Sequence, residues 1–229
     1  PNTSRLRLTR TRWELRPVLK SAANGSSEFM TNISMSIVTM LYNWQLMRLM
    51  GADGVTVFGI IMYVSFIFVA LFLGYSMGSA PIVSFHYGAG NQEELRGLFR
   101  RSLTIILSMS VGLTVLAVVL AKPLAMIFVS YDPALLSVTQ RALTIYAVSY
   151  LLTGFNIYAS SFFTALNDGL VSALISFART LVFQVLAVLT LPLLWEADGI
   201  WAAVILAEGL AAILSLACFL RFRKKYGYA

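Results

Sequence analysis

Residues 24–43 read Asn-Gly-Ser-Ser-Glu-Phe-Met-Thr-Asn-Ile-Ser-Met-Ser-Ile-Val-Thr-Met-Leu-Tyr-Asn, and this stretch decides the fold. It is long enough to cross a bilayer, yet it carries a carboxylate, Glu28, near its start. Its polar side chains recur every three or four residues and therefore share one helix face. They are Asn24, Glu28, Asn32, Ser36, Thr39 and Asn43. The other face holds Phe29, Ile33, Ile37 and Leu41.

The carboxylate on this polar face is the first candidate functional group. An ionisable side chain at the centre of a span costs roughly 2.5–3.5 kcal/mol on insertion scales and normally faces a cavity or a partner. Because the polar stripe continues well beyond Glu28, we expect that side to face water, an ion or a polar ligand. The alternative is a Glu28 that begins the helix within the headgroup layer.

Composition identifies a membrane protein. Hydrophobic residues make up 59% of the chain and charged residues 12%, against about 25% charged in a soluble domain. The single cysteine, Cys218, allows no internal disulfide, and the single histidine, His86, allows no zinc cluster. We expect no metal site. We also expect no nucleic-acid partner, because a long apolar run follows the basic start at once.

Six apolar runs predict six membrane spans, so the predicted fold class is an all-α membrane protein built as a six-transmembrane-helix bundle. The spans are about 24–48, 56–80, 103–121, 135–163, 170–194 and 200–220. The predicted connections are turns at 51–54, 128–133, 165–169 and 196–199, and a polar loop at 81–96 that Arg100 and Arg101 close. We expect Lys122-Pro123 to end span three.

Three regions result from this pattern: a basic amphipathic cytosolic linker at 1–23, the bundle at 24–220, and a basic cytosolic tail at 221–229. Six spans put both termini on one side of the membrane. Thirteen of the 17 Lys and Arg residues fall in the linker, the loop after span two, and the tail. The positive-inside rule therefore predicts that both termini are cytoplasmic.

Further polar residues lie within the later spans. In span four they recur every three or four positions, at Tyr146, Ser149, Thr153, Asn156 and Ser160. This line is either a set of core hydrogen-bonding groups or the lining of a cavity. Arg179 and Gln184 lie in the first half of span five, and Glu208 lies inside span six. We expect Arg179 either to extend to the interface or to pair with a buried acid.

Several short motifs, spread over essentially the whole chain, resemble a known family. The run Asn-Gly-Ser-Ser-Glu-Phe-Met-Thr-Asn (24–32) resembles the start of the seventh helix in multidrug and toxic compound extrusion (MATE) transporters. The other matching motifs are Gly-Ile-Ile-Met-Tyr-Val (59–64), Gly-Tyr-Ser-Met-Gly-Ser-Ala-Pro-Ile-Val-Ser-Phe-His-Tyr-Gly-Ala-Gly-Asn (74–91), Ser-Phe-Ala-Arg-Thr (176–180) and Asp-Gly-Ile-Trp (198–201). The set is specific, although no single motif suffices.

The resemblance implies an architecture and an activity. Such transporters consist of two six-helix bundles around a central cavity, and proton or sodium entry drives export of cationic and amphipathic compounds. This chain would supply the second, carboxy-terminal half of a twelve-helix transporter, and its basic start would be the linker. We therefore expect a fragment or a truncated gene product whose partners are the missing amino-terminal bundle, the lipid bilayer and small substrates. The implied location is a bacterial-type cytoplasmic (inner) membrane.

The resemblance also implies site residues. Glu28 matches the family's acidic position for cation coupling. Where some members use an aspartate on the tenth helix, this chain has Thr153 and Asn156, which carry no charge. This departure disfavours sodium coordination of that kind and leaves proton coupling at Glu28. The expected substrate and cavity-lining residues are Asn24, Thr31, Asn32, Tyr63, Thr153, Asn156 and Gln184. We expect no cofactor beyond the coupling ion, H⁺ or Na⁺.

Three other functions compete with the antiporter half. One is a non-transporting membrane scaffold. A second is a lipid-linked sugar flippase of the same superfamily, which would need a more basic cavity than Arg179 alone supplies. The third is an intramembrane enzyme, but the sequence has no His-Glu-x-x-His, no Gly-x-Ser-x-Gly and no paired intramembrane aspartates. We therefore expect no enzyme and no catalytic residue.

Overall fold

A computed structural model describes residues 15–228, and within this range it describes only the backbone at 17, 20, 23–28, 30 and 31. All regular elements between residues 15 and 228 are helical, which confirms the predicted all-α fold. They are α1 (Leu15–Gly88), α2 (Gln92–Val129), α3 (Pro133–Ala147), α4 (Tyr150–Ala165), α5 (Gly169–Phe177), a π-helical turn (Ala178–Val182), α6 (Phe183–Thr190) and α7 (Pro192–Tyr226).

The first helix doubles back at Gly51. Its φ of 65° and ψ of −149° lie outside the helical region, in a conformation that favours glycine. The rings of Tyr42 and Phe58 stack 4.9 Å apart, whereas in a straight helix these residues would be about 24 Å apart along the axis. The two arms of α1 are therefore separate spans, called span one before Gly51 and span two after it. The predicted turn at 51–54 is confirmed.

A similar break separates span five from span six. Trp195 (φ −129°) and Glu196 (φ 48°) interrupt α7 after its first turn. The chain folds back so closely here that a Cβ on Gly199 would lie 2.4 Å from the Leu191 carbonyl oxygen. The predicted turn at 196–199 is therefore confirmed, and span six is the part of α7 beyond Glu196.

Between residues 15 and 228, the apolar helices account for six crossings. Four of them are long and apolar enough to span a membrane, and the pair α3 and α4, bent by 47°, forms a fifth. The 57-residue apolar part of α1 would be about 85 Å long as one straight rod, far beyond a hydrocarbon core of about 30 Å. The reversal at Gly51 divides it into two crossings. Span three is α2, span four is α3 with α4, and span five comprises α5, the π-turn and α6.

The predicted polar loop at 81–96 is wrong. Helix α1 continues through Pro81 to Gly88, and α2 begins at Gln92, so only three residues connect them. Gly90, with a φ of 70°, allows the reversal, and the Asn91 side chain accepts a hydrogen bond from the Glu94 N–H at 3.2 Å to cap α2. A proline removes a single helical hydrogen bond, and packing against neighbouring helices offsets that loss.

Three other predicted boundaries also differ from the structure. Lys122-Pro123 does not end span three, because α2 runs through Pro123 to Val129. Span four is not straight, because it bends between α3 and α4 at Val148 and Ser149. Helix α7 continues to Tyr226, so most of the predicted tail at 221–229 forms the last turns of span six. The cytosolic location of this segment stays a prediction.

The linker predicted at 1–23 lies partly outside the described residues, and α1 begins within it at Leu15.

Aromatic rings pack the bundle where spans three, four and six meet. Phe99 lies 5.0 Å from both Phe162 and Phe219, measured between ring centroids. Tyr228 closes this cluster, because its ring lies 4.8 Å from Phe99 and its hydroxyl donates to the Phe219 carbonyl at 2.9 Å. The carboxy-terminal residues thus hold the end of span six against spans three and four.

Candidate functional site

A buried ion pair lies in the interior of the bundle between spans five and six. The Arg179 Nε donates to the Glu208 carboxylate at 2.9 Å from Oε1 and 3.0 Å from Oε2, and Nη2 lies 2.8 Å from Oε1. The Glu208 side chain is 4% exposed and that of Arg179 is 17% exposed. Two charges at this depth are stable only as a close pair with their remaining polar atoms satisfied.

Span four supplies the third member of this group. The Asn156 Nδ2 donates to Glu208 Oε2 at 2.7 Å and to the Glu208 main-chain oxygen at 3.0 Å. The Asn156 Oδ1 in turn accepts from the Ser215 Oγ at 3.0 Å. We call Arg179, Glu208, Asn156 and Ser215 the interior network. Glu208 and Ser215 are seven residues apart on span six, which places both on the face turned towards span four.

Arg179 lies in the π-turn at Ala178–Val182. Here the Phe183 N–H donates to the Ala178 carbonyl, five residues back instead of four. A π-turn adds one residue to the helix, and such turns are rare but frequently occur at functional sites. The extra residue rotates the remainder of span five by about 100°. It therefore sets the direction of Gln184 relative to that of Arg179.

Gln184 connects span five to span one. Its Oε1 accepts a hydrogen bond from the Tyr42 hydroxyl at 3.0 Å. One turn later in span one, the Gln45 Nε2 donates to the Val188 carbonyl at 3.2 Å. The polar contacts of span five thus extend in two directions, through Arg179 to spans four and six and through Gln184 to span one.

The polar line of span four contributes hydrogen bonds to the core. Thr153 and Asn156 are buried, and the Thr153 Oγ1 donates to the Ser149 carbonyl at 2.9 Å. The Ser160 Oγ lies 2.9 Å from the Ser172 Oγ and 2.6 Å from the Ser176 Oγ on α5. The polar line of span four could form core hydrogen bonds or line a cavity, and these contacts favour core hydrogen bonds.

The other predicted site residues belong to spans one and two. Asn24, Glu28 and Thr31 have helical backbone in span one, but their side chains lie outside what the structure describes. Asn32 is exposed on span one, and Tyr63 is 72% exposed on span two. The interior network shares Asn156 with the predicted site. The roles predicted for all the site residues stay predictions.

The predicted site left out three members of the interior network, which are Arg179, Ser215 and Glu208. The signal for Glu208 was a carboxylate in the middle of an apolar run, the same signal that singled out Glu28. Arg179 was expected to extend to the interface or to pair with a buried acid, and its pairing is confirmed. Matching Arg179 with Glu208 needed only the assumption that two opposite charges in adjacent spans neutralise each other.

A second polar cluster lies at one end of the bundle, where the turn between α4 and α5 meets the last turn of span six. Asp168 caps α5 by accepting from the Val171 N–H at 3.2 Å, and it also accepts from the Tyr226 hydroxyl and from the Lys225 Nζ at 3.3 Å. Partial burial raises the pKa of the Asp168 carboxyl, but the hydrogen bonds from Tyr226, Val171 and Lys225 outweigh burial, and the pKa is lowered from 3.8. Asp168 thereby fastens the end of span six to the turn before span five.

In the part of the chain that the structure describes, six apolar crossings around a polar interior define a multi-pass membrane protein. The sequence profile of the MatE family matches residues 29–189, which is most of the chain. The chain belongs to the MatE family of membrane transporters. No curated protein matches it.

Solved transporters have the same fold. The chain is 22% identical to a multidrug resistance MATE family transporter of the MOP superfamily in an outward-facing conformation, with a TM-score of 0.83 over 96% of this chain and 49% of that one. It is 23% identical to a MOP superfamily transporter from Pyrococcus furiosus whose reverse polarity of the binding pocket suggests a different function, with a TM-score of 0.81 over 92% and 47%. It is 16% identical to a Vibrio cholerae MATE transporter, VcmN, in the bent form, with a TM-score of 0.83 over 93% and 48%. The chain therefore spans about half the length of the transporters it matches.

Proposed function

We propose that this chain is one half of an alternating-access antiporter that couples entry of H⁺ or Na⁺ to export of cationic or amphipathic compounds. The other half is an amino-terminal six-helix bundle facing it across a central cavity. The membrane is a bacterial-type cytoplasmic membrane with both termini in the cytoplasm. The protein carries out transport and no covalent chemistry, as in the family of transporters to which the chain belongs.

The observation that carries this proposal is the orientation of span one. Ser34, Tyr42, Gln45 and Leu46 are buried against the bundle. Asn32 and Ser36 flank Ser34 at two residues on either side, so each is turned by about 200° from it, and both are exposed. Thr39 continues this exposed line. The polar stripe therefore lies on the side of span one that this half does not cover.

A polar stripe that this half leaves exposed would be unfavourable against lipid, although the Ser36 hydroxyl already donates to the Asn32 carbonyl at 3.3 Å. Polar groups that face hydrocarbon cost free energy, so intramembrane polar faces normally line cavities or contact other helices. A second bundle that encloses a wet cavity against this face satisfies that requirement. Asn24, Thr31, Asn32 and Tyr63 would line this cavity, and Gln184, Thr153 and Asn156 would lie behind it.

Glu28 is the proposed coupling residue. It precedes Asn32 by four residues and therefore lies on the same helix face. A carboxylate on a cavity wall gains a proton when it is closed off from water and releases it when water returns. Alternating access would thus load and release one coupling ion per cycle at this position.

Efflux of a fluorescent cation from vesicles tests the proposal. In the transporter that contains both bundles, Glu28→Gln should lower pH-driven efflux on the order of tenfold or more, because the glutamine cannot exchange a proton. Glu94→Gln is the matched control, because Glu94 is an exposed acid in the first turn of α2. Unchanged pH-driven efflux in the Glu28 variant would remove this residue from coupling.

The interior network bears on the two alternatives. A flippase for lipid-linked sugars needs a basic cavity, and Glu208 compensates the charge of Arg179 within the bundle. This pairing disfavours the flippase. Reconstitution and cross-linking of the chain alone separate the antiporter half from a scaffold. The scaffold would be favoured if the chain alone associates stably with itself and if no transport is measured when the other bundle is also present.

A further inference from the structure

Two arginines flank an open recess on the outer face of α2, near the end of the bundle where this helix begins. The recess has a volume of about 520 Å³ and is lined by Glu93, Arg96, Gly97 and Arg100. Steps of three and four residues place all of them on one helix face. Gly97 leaves the floor of the recess empty, because a Cβ added there would meet no atom within 4 Å.

The charges of this recess suit a phosphate group. Arg96 and Arg100 are both exposed, and none of the ion pairs among the side chains that the structure describes includes either of them. The Arg96 Nε donates to the Gly227 carbonyl at 3.0 Å, which holds this side chain against the end of span six. Together with Glu93, the two arginines give the recess a net positive charge, which matches the single negative charge of a phosphodiester.

The length of α2 places the recess at the level of the lipid headgroups. An uncharged run from Ser102 to Ala121 separates Arg101 from Lys122, and as a helix it is about 30 Å long, the thickness of a hydrocarbon core. Helix α2 begins at Gln92, so its part before Ser102 extends beyond the core. The recess belongs to this extension, where the phosphate groups of a bilayer lie.

An exposed apolar stripe continues from the recess along the same helix. Leu107, Val111 and Val115 are all exposed. Leu107 follows Arg100 by seven residues, and the other two follow at steps of four, so the stripe and the recess share one helix face. A basic recess above an apolar stripe has the arrangement of a phospholipid, with its charged phosphate above its acyl chain.

We propose that this recess is a binding site for an anionic phospholipid that has a single phosphodiester and a hydroxylated headgroup. Arg96 and Arg100 bind the phosphate oxygens, because guanidinium groups fit phosphate in a bidentate manner. The Glu93 carboxylate accepts hydrogen bonds from the headgroup hydroxyls. One acyl chain lies along the exposed stripe of α2. This inference goes beyond the antiporter proposal and does not depend on it.

Native mass spectrometry of the purified chain in detergent tests this site by titration with lipid. Phosphatidylglycerol is the probe, and phosphatidylcholine with the same acyl chains is the neutral control. The wild-type chain should bind the first phosphatidylglycerol about tenfold or more tightly, because the choline cation opposes the two arginines. Inorganic phosphate should bind far more weakly than phosphatidylglycerol, because it has no acyl chain to lie on the stripe.

A pair of arginine variants separates the recess from general attraction to a basic surface. Arg100→Gln and Arg101→Gln remove the same charge from neighbouring exposed positions, but only Arg100 lines the recess. Arg100→Gln should weaken phosphatidylglycerol binding about tenfold or more, because a charge-assisted hydrogen bond is lost. Arg101→Gln should weaken it about fivefold at most, which is the effect of one basic residue near an anionic headgroup.

A pair of glycine variants tests the shape of the recess without changing its charge. Gly97→Leu should weaken phosphatidylglycerol binding about as much as Arg100→Gln, because the new side chain fills the recess. Gly112→Leu is the matched control, because a Cβ at Gly112 also meets no atom within 4 Å but lies outside the recess. Both substitutions raise helix propensity, so both variants should fold, and their melting temperatures without lipid check this.

Any of four results in the chain alone would overturn the proposal. They are equal binding of the two phospholipids by the wild-type chain, equal losses in Arg100→Gln and Arg101→Gln, unchanged binding in Gly97→Leu, and binding of inorganic phosphate as tight as that of phosphatidylglycerol. The last result would identify a site for a free anion. Binding should also persist in the transporter that contains both bundles, and its loss there would mean that the other bundle covers this face.

Discussion

Two ion pairs in this protein join the same kinds of residues in opposite surroundings. Arg179 and Glu208 meet inside the bundle, with side chains 17% and 4% exposed. Arg141 and Asp198 meet at the end of the bundle, with side chains 68% and 40% exposed. Water screens and solvates the second pair, whereas the first depends on its protein partners alone.

This difference determines what each pair does. The interior pair is costly to assemble and costly to break, because loss of either partner leaves an unpaired charge away from water. The surface pair contributes little, because each of its members is almost as well solvated alone. The interior pair therefore fixes which spans meet and in which register. The surface pair forms between residues whose positions are already determined by other contacts in the bundle.

The largest expected effect is from breaking the interior pair on one side. Arg179→Met should destabilise the protein by about 3–5 kcal/mol in choline chloride, because Glu208 is then buried without a compensating charge. The double variant Arg179→Met with Glu208→Leu should recover most of this loss, because an apolar pair of similar volume leaves no unpaired charge. Denaturant unfolding in detergent measures both. A double variant as unstable as the single variant would show that the two residues do not act as a pair.

A smaller effect is expected from the amide that completes the network. Asn156→Leu should cost about 1–3 kcal/mol, because the Glu208 Oε2 loses its 2.7 Å hydrogen bond and the Ser215 hydroxyl loses its acceptor. Unfolding by the same method, combined with Arg179→Met in a double-mutant cycle, measures the coupling between the two positions. Simple additivity of the two single effects would contradict one connected network.

The sequence predicted the spans and the tight turns because both signals are local. Gly51 has a left-handed φ and Gly199 lies against the backbone of Leu191, so the turns at 51–54 and 196–199 depend on residues within them. Boundaries that depend on packing were predicted less well. Pro81 and Pro123 suggested helix ends, but both lie inside helices. The bend at Val148 and Ser149 contains no glycine or proline that would predict it from the sequence.

The candidate site was harder to predict because its contacts are distant in sequence. Arg179 and Glu208 are 29 residues apart, and Asn156 and Glu208 are 52 residues apart. Periodicity correctly placed Asn156 on a polar face, but the direction of that face depends on how the helices pack. The π-turn that contains Arg179 has no glycine or proline that would indicate it in the sequence. Residue type indicated which positions matter, and tertiary structure was needed to show which of them meet.

The cluster of Asp168, Lys225 and Tyr226 is intermediate in exposure between the interior pair and the surface pair. Its contribution to stability should depend on pH. The pKa of Asp168 is lowered in the folded protein, so its contribution to stability is complete above 3.8 and is lost as the pH falls through the lowered value. Tyr226→Phe removes one of the donors that lower this pKa and should reduce the acid-dependent loss of stability. Melting temperature measured from neutral to acidic pH, with Asp168→Asn as the reference without a titrating group, checks this. Identical pH profiles in wild type and Tyr226→Phe would remove the Tyr226 hydroxyl from the cluster.

The smallest effect should come from the surface pair, and this result completes the comparison. Arg141→Ala should change the free energy of unfolding by about 0–1 kcal/mol, because both partners are already solvated. Whatever contribution exists should decrease at about 1 M choline chloride, where the Debye length is about 3 Å, whereas the loss caused by Arg179→Met should persist because buried charges are screened much less. Denaturant unfolding of both variants at low and high salt measures this. A loss of several kcal/mol in Arg141→Ala would mean that the turn at 196–199 depends on Arg141. The difference in exposure would then not explain why the two ion pairs contribute differently to stability.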